Sequence, residues 1–171
     1  PALPDEDIAF DATPTPIGRR LIARRLTESM QQAPHFHVRI DVAVDALLRL
    51  RAQWPDAGGP RPTLNDFVIQ AAARALRAVP QVNVSYGDTV IRNFRAVNIG
   101  VAVAVDQGLR TPVIRDADTK PLAVIAGEMR SLAQQAREGR LPADASRGAT
   151  FSVSNLGGLG VTEFTAVINP P

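Results

Sequence analysis

The sequence predicts an α/β layer fold, because runs with strand periodicity alternate with runs of helical periodicity along the chain. Two stretches carry most of that expectation. TLNDFVIQAAARALRAV, residues 63–79, repeats its apolar residues at helical spacing behind a capping threonine. VNIGVAVAV, residues 97–105, alternates Val97, Ile99, Val101, Val103 and Val105 with small or polar residues, as a covered strand does. At 171 residues with 45% hydrophobic content, the chain can fill one real core.

Taken in order, residues 1–16 carry Pro1, Pro4, Pro14 and Pro16 without periodic apolar spacing, which predicts an extended arm or the end of a linker. IGRRLIARRLTESMQQ, 17–32, places Leu21, Ile22, Arg25, Leu26 and Met30 near helical spacing and is stopped by Pro34. FHVRIDVAV, 36–44, has period two and predicts a strand with Phe36, Val38, Ile40 and Val42 on one face and His37, Arg39 and Asp41 on the other. DALLRLRAQW returns to helical spacing before Pro55, and DAGGPRP, 56–62, is a turn-forming loop. In the 63–79 helix Thr63 caps the N-terminus with Asp66 three positions on, and Phe67, Ala71, Ala75, Leu76 and Val79 form the expected inward stripe. QGLRTPVIRD is a turn and a short strand. PLAVIAGEMRSLAQQAREG is a helix begun at Pro121 and ended at Gly139, with Leu122, Ile125, Met129, Leu132 and Ala136 inward. ATFSVSN and EFTAVIN are two further strands around a glycine-rich bend.

Composition excludes several functions. Nineteen basic and 17 acidic residues nearly cancel to +2, and aromatic side chains for stacking bases are scarce, so nucleic acid is not an expected partner. The chain has no cysteine, which removes disulfides, thiolate nucleophiles and Cys-bound zinc. No apolar run reaches the roughly 20 residues of a membrane span, so no membrane partner is expected. PALPDEDIAF is acidic and lacks a basic region ahead of an apolar stretch. The expected location is cytoplasmic, or an organelle matrix if a presequence has been removed.

ATFSVSNLGGLG, 149–160, is the richest chemical text. A dinucleotide fingerprint needs G-x-G-x-x-G opening a helix, and here Val-Thr-Glu and an alternating run follow the glycines instead. No Lys-Ser or Lys-Thr follows to make a P-loop. A bend that uses positive φ and close backbone packing fits better. Ser152 and Ser154 share one face of the strand, opposite Val153. They can be plain strand hydroxyls, or they can face a reaction. A serine nucleophile would need an aligned base, and the histidines are His35 and His37. His37 and Asp41 lie four apart, which on a strand is ~13 Å at ~3.3 Å per residue, beyond hydrogen-bond reach. A metal site from the two histidines and Asp41 is weak, and no metal is expected. Asp116 and Asp118 can be a carboxylate pair or a turn closed by Asp.

IGRRLIARRLTESMQQAPHFHVRIDV, TLNDFVIQAAARALRAVPQVN, VNIGVAVAVDQGLRTPVIRDAD and TFSVSNLGGLGVTEFTAVINPP, in this order, resemble the catalytic core of the dihydrolipoamide acyltransferases. These are the E2 components of 2-oxo acid dehydrogenase complexes. The resemblance runs from about Ile17 to Pro171, and GLRTPVIRDAD and FSVSNLGG…FTAVINPP are its most specific blocks.

The resemblance implies the chloramphenicol acetyltransferase-like fold, a mixed sheet with packed helices, with 17–171 as a partial catalytic domain behind the 1–16 arm. It implies homotrimers, in many members built into a larger cage, with E1 and E3 components and a lipoyl domain as partners. The implied activity is transfer of an acetyl or branched-chain acyl group from S-acyldihydrolipoamide to coenzyme A. Lipoamide rides on a separate lipoyl domain, and coenzyme A is a substrate. In the family a histidine deprotonates the attacking thiol and a serine of the facing subunit binds the oxyanion. By match to the F-x-x-S block, Ser154 takes the oxyanion role, with Ser152 as fallback. Phe164 and Val167 fall where the family lines its dihydrolipoamide pocket, although plain core packing explains them equally well.

The family's histidine sits in an H-x-x-x-D-G motif downstream of N-P-P, where this sequence stops. HVRIDV has Val42 in place of the glycine and precedes a different part of the fold. The expectation is a fragment lacking its catalytic base, with sheet edges left unpaired. The alternative is a non-catalytic oligomeric core or scaffold module of such a complex.

Overall fold

Helix 63–79 begins where its sequence demands. In the computed structural model, which describes residues 9–55, 59–106 and 108–168, Thr63 Oγ1 accepts the Asp66 N–H at 3.3 Å and Asp66 Oδ2 accepts the Thr63 N–H at 2.7 Å. That reciprocal box satisfies two otherwise orphaned donors. The helices are α1 (Ile17–Gln32), α2 (Asp45–Ala52), α3 (Leu64–Ala78) and α4 (Leu122–Arg137). The strands are β1 (Val84–Tyr86), β2 (Ile91–Asn93), β3 (Ile99–Val101), β4 (Val103–Val105), β5 (Gly108–Arg110), β6 (Val113–Ile114) and β7 (Phe151–Val153). Two compact units result: one runs to Arg39 and includes the segment from Thr165, and the other is Ile40–Phe164.

The larger unit holds the core. Its three-stranded sheet has the order β6-β3-β7, with β3 antiparallel to β6 and parallel to β7, so the sheet is mixed. The expected strand 97–105 divides at Ala102. Its N–H still bonds Val153 O at 3.0 Å, after which β4 leaves to pair antiparallel with β5. Val97, Ile99, Val101 and Val103 are buried together with Ile69, Ala73 and Leu76 of α3 and Ile125, Met129 and Ala136 of α4. Ile99, Ile69, Ile114 and Ile125 have no exposed surface, and each such side chain is worth roughly 1.5–3 kcal/mol of apolar burial.

Several expectations need correction. The α3 stripe runs through Asp66, Phe67, Ile69, Ala73 and Leu76, while Ala71, Ala75 and Val79 face solvent. Ile69, Ala73 and Leu76 follow i, i+4, i+7 spacing, and that line meets the sheet. Residues 36–44 form no ladder among the described residues, although period two describes the faces of a strand. Phe36, Val38, Ile40 and Val42 are 67–85% exposed as a result. EFTAVIN likewise forms no ladder over 163–168, and Asn169 lies outside the described residues. The α1 stripe is mostly uncovered, since Leu21, Ile22 and Met30 are exposed, Leu26 is half-buried and Ser29 is the buried position on that helix. Of the loop 56–62, residues 56–58 lie outside the described residues, as do residues 1–8 of the arm and Asn169–Pro171 of the N-P-P segment.

The hairpin β1–β2, joined through Gly87–Val90, was not anticipated. Asn83, 2% exposed, holds its base by donating from Nδ2 to Phe94 O and Ala96 O. Gly139 ends α4 at φ +68 as expected, and just ahead of it Gln134 and Arg140 bond the Glu138 carboxylate and hold its pKa below the ordinary value.

At Gly100 the second face of β3 is closed so tightly that a Cβ would meet Ala149 Cβ at 3.0 Å and Thr111 Cγ2 at 3.1 Å. Gly100→Ala is predicted to destabilise the protein by about 1–3 kcal/mol through overpacking. Urea denaturation checks it: the midpoint should fall at constant slope, and an unchanged midpoint would mean that Ala149 and Thr111 yield freely.

Candidate functional site

β7 owes its placement to Asn98, the residue just before β3. The Asn98 carbonyl accepts the Thr150 N–H at 2.8 Å, and the Asn98 N–H donates to Thr150 Oγ1 at 3.2 Å. Its side chain donates from Nδ2 to Gly148 O at 2.8 Å and accepts the Asp116 N–H on Oδ1 at 2.9 Å. Arg115 adds bonds to Asp144 O and Arg147 O at 3.0 and 3.3 Å, anchoring the loop that leads into the strand. Sequence reasoning did not single out Asn98 or Arg115. The available signal was a polar residue at the mouth of an otherwise apolar strand.

With its entry anchored, β7 runs parallel to β3 in the register Ile99↔Phe151, Gly100↔Ser152, Val101↔Val153. Val153 is 8% exposed and joins the core, while Ser152 and Ser154 are exposed. Alternation along the strand therefore turns both hydroxyls away from the interior. Ser154 is the first residue past the ladder. The next residue, Asn155, accepts the Gly157 N–H on Oδ1 at 2.8 Å and starts a 3-10 turn, Gly157–Leu159. That turn closes at Gly160 with φ +79, the position in this bend that requires a glycine. The segment after Gly160 is not helical among the described residues, unlike the helix that a dinucleotide fingerprint opens.

Phe164 is 41% exposed and belongs to the larger unit with Ser154, whereas the half-buried Val167 belongs to the smaller one. Two open depressions mark the larger unit, of about 450 Å³ beside Pro60, Gly127 and Gln134 and about 380 Å³ beside Arg115, Lys120, Glu128 and Asp144. Neither is lined by Ser154, Phe164 or Val167. Asp116 and Asp118 take the turn arrangement: Asp116 is left-handed at φ 46, and Asp118 pairs with Arg77 at 2.7 Å. His37 is exposed, and His35 is half-buried with both ring nitrogens on backbone groups. Among the described residues no group of three His, Asp or Glu side chains could hold a metal ion, and no helix is long and apolar enough to cross a membrane.

A mixed sheet with helices packed on it, carrying an outward serine strand, places the chain in a known class. The family model described as 2-oxoacid dehydrogenases acyltransferase (catalytic domain) matches residues 9–171, and the chain belongs to that family. Component 3 of the mitochondrial dihydrolipoyllysine-residue acetyltransferase of the Arabidopsis thaliana pyruvate dehydrogenase complex is 48% identical over 158 residues. The corresponding component of Zymomonas mobilis is 46% identical over 156 residues. Each match takes in 90% of this chain, which spans 29% and 36% of those relatives.

Among solved structures, the dihydrolipoamide acetyltransferase of Azotobacter vinelandii superposes with a TM-score of 0.91 at 30% identity, covering 100% of this chain and 74% of its own. A serine, a histidine and an asparagine were investigated in the catalytic mechanism of that protein. A truncated catalytic core of the 2-oxoacid dehydrogenase multienzyme complex from Thermoplasma acidophilum gives 0.83 at 30% identity, covering 95% and 76%. The mixed α/β sheet is thus the chloramphenicol acetyltransferase-like fold of E2 catalytic cores.

The turn after Ser154 depends on one side-chain acceptor. Asn155→Ala is predicted to cost about 1 kcal/mol there, speeding exchange of the Gly157 amide roughly fivefold. Residue-resolved hydrogen exchange measures it, and an unchanged rate would show that the turn holds without Asn155.

Proposed function

We propose that this chain is part of a dihydrolipoamide acyltransferase that moves an acyl group from S-acyldihydrolipoamide to coenzyme A within a 2-oxo acid dehydrogenase complex. The names of the relatives favour acetyl over a branched-chain group. One observation carries the proposal: Val153 is buried while Ser152 and Ser154 are exposed, in the F-x-x-S block of a family whose reaction builds an oxyanion.

In the proposed reaction the coenzyme A thiol loses its proton to a base and its sulfur attacks the thioester carbonyl. The Ser154 Oγ–H donates to the oxygen as it becomes negative, and this bond strengthens in the transition state. The tetrahedral centre then collapses, the bond to the dihydrolipoamide sulfur breaks, and the departing thiolate takes up the proton. Ser152 is the fallback donor on the same face. Phe164 and Val167 are proposed to offer apolar contact to the dihydrolipoyl chain. Neither histidine is assigned the base: both ring nitrogens of His35 are engaged by backbone, and HVRIDV lacks the family's glycine. The base is proposed to belong to the share of the catalytic core without a counterpart in these residues, since the chain spans 74% of the Azotobacter core.

The setting is proposed with it. Residues 1–16 serve as an arm and 17–171 as a partial catalytic domain. The assembly is a homotrimer extended into a larger core, as supported by a relative described as the cubic core of the pyruvate dehydrogenase multienzyme complex. Its partners are a lipoyl domain and the E1 and E3 components. Location is proposed to be cytoplasmic, or an organelle matrix, the Arabidopsis relative being named as mitochondrial. A non-catalytic scaffold module is favoured by one observation, the exposed apolar side chains of Phe36, Val38, Ile40 and Val42.

Acetyl transfer from S-acetyldihydrolipoamide to coenzyme A by the full-length protein separates the two. Ser154→Ala is predicted to lower kcat about 10²–10³-fold with little change in KM, the signature of a bond made in the transition state. Equal kcat for Ser154→Ala and wild type would remove Ser154 from the mechanism, and an inactive wild type would favour the scaffold.

A further inference from the structure

The smaller unit contains an arrangement that the serine chemistry leaves unused. Ile168 is held by both of its backbone polar groups. Its carbonyl accepts the Ser29 Oγ–H at 2.5 Å, and its N–H donates to His35 Nε2 at 3.1 Å. On the other side of the ring, His35 Nδ1 lies 2.6 Å from Ala33 O. A carbonyl can only accept and a backbone N–H can only donate, so the two partners fix the ring as the neutral tautomer with its proton on Nδ1. Ser29 is 3% exposed, and it sits on the last turn of α1, which ends beside His35. The contacts join residues 139 and 133 positions apart, and no local rule of sequence foretells them.

We propose that His35 is a positioning residue: with Ser29 it clasps Ile168 and so sets the neighbouring Val167 for contact with the acyl donor. The assignment of Val167 to the donor pocket rests on the proposed acyltransferase function, whereas the clasp itself does not. Segment 165–168 forms no helix or strand among the described residues, so side-chain bonds of this kind take the place of a ladder. The clasp uses both ring nitrogens at once, Nε2 as acceptor and Nδ1 as donor.

The test uses the full-length protein with three variants, and reads Ile168 amide exchange, corrected for intrinsic rates, beside the kinetics. His35→Ala is expected to speed exchange about fivefold and to raise KM for S-acetyldihydrolipoamide about as much, with kcat and KM for coenzyme A little changed. His35→Gln keeps a neutral amide with a donor and an acceptor at similar separation. It should restore both readouts. Ser29→Ala should raise the same KM, and it serves if His35→Ala does not fold.

Unchanged Ile168 exchange in His35→Ala would overturn the clasp. Faster exchange with an unchanged donor KM would overturn the positioning role. Failure of His35→Gln to rescue would also overturn it. A wild-type protein without transfer activity would count against the acyltransferase alone, and the Ile168 amide would still decide the clasp.

Discussion

Across the parallel ladder between β3 and β7, Gly100 lies opposite Ser152 and Val101 opposite Val153, and most of what matters in this chain follows from that register. Gly100 is where the sheet is closed from the side, with Ala149 and Thr111 against the space a Cβ would need. Asn98 locks the start of the pairing through bonds to Gly148, Thr150 and Asp116. A slip of one residue would carry Val153 into water and turn both serines inward. Each hydroxyl buried without a partner would cost about 1–3 kcal/mol, and the lost burial of Val153 adds to that. Core packing and the outward display of Ser152 and Ser154 are therefore two results of one constraint.

The apolar surface outside the core has a different character. Phe36, Val38, Ile40 and Val42 alternate as a half-buried strand should, yet all four are exposed. Leu21, Ile22 and Met30 on α1 are exposed as well. Scattered apolar residues on a surface are ordinary, but a run with period two marks a face built to be covered. The chain spans about three quarters of the solved E2 cores it resembles.

How much could be read from the residues depended on whether the determining contacts are local. α3 was legible because Thr63 and Asp66 cap it three positions apart, and α4 because Pro121 opens it and Gly139 closes it. The buried face of 97–105 was legible from alternation, although its division at Ala102 was not, because β4 leaves for a different partner. The inward line of α3 was misplaced by two residues at Ile69 and Ala73, since alanine-rich spacing fits several faces of a helix. Strands at 36–44 and 163–169 were expected from alternation, but neither stretch forms a ladder among the described residues. At the site, period two gave Ser152 and Ser154 a shared face opposite Val153, and the burial of Val153 turns that face outward. The chemistry proposed for them came from the likeness to the family, and the hold of His35 and Ser29 on Ile168 lies beyond any pattern of neighbours.

The proposed mechanism asks little of Ser154 beyond position. It need not be deprotonated or activated; it has only to present an O–H where negative charge gathers, and a hydroxyl just past the end of an anchored strand can do that without reorganising. The most direct measurement is a crystal structure of the full-length protein with a tetrahedral analogue of the acyl-transfer intermediate. The account predicts Ser154 Oγ at about 2.7–3.1 Å from the oxygen that mimics the oxyanion. An analogue bound with that oxygen on other donors, and with Ser154 facing bulk solvent, would contradict it.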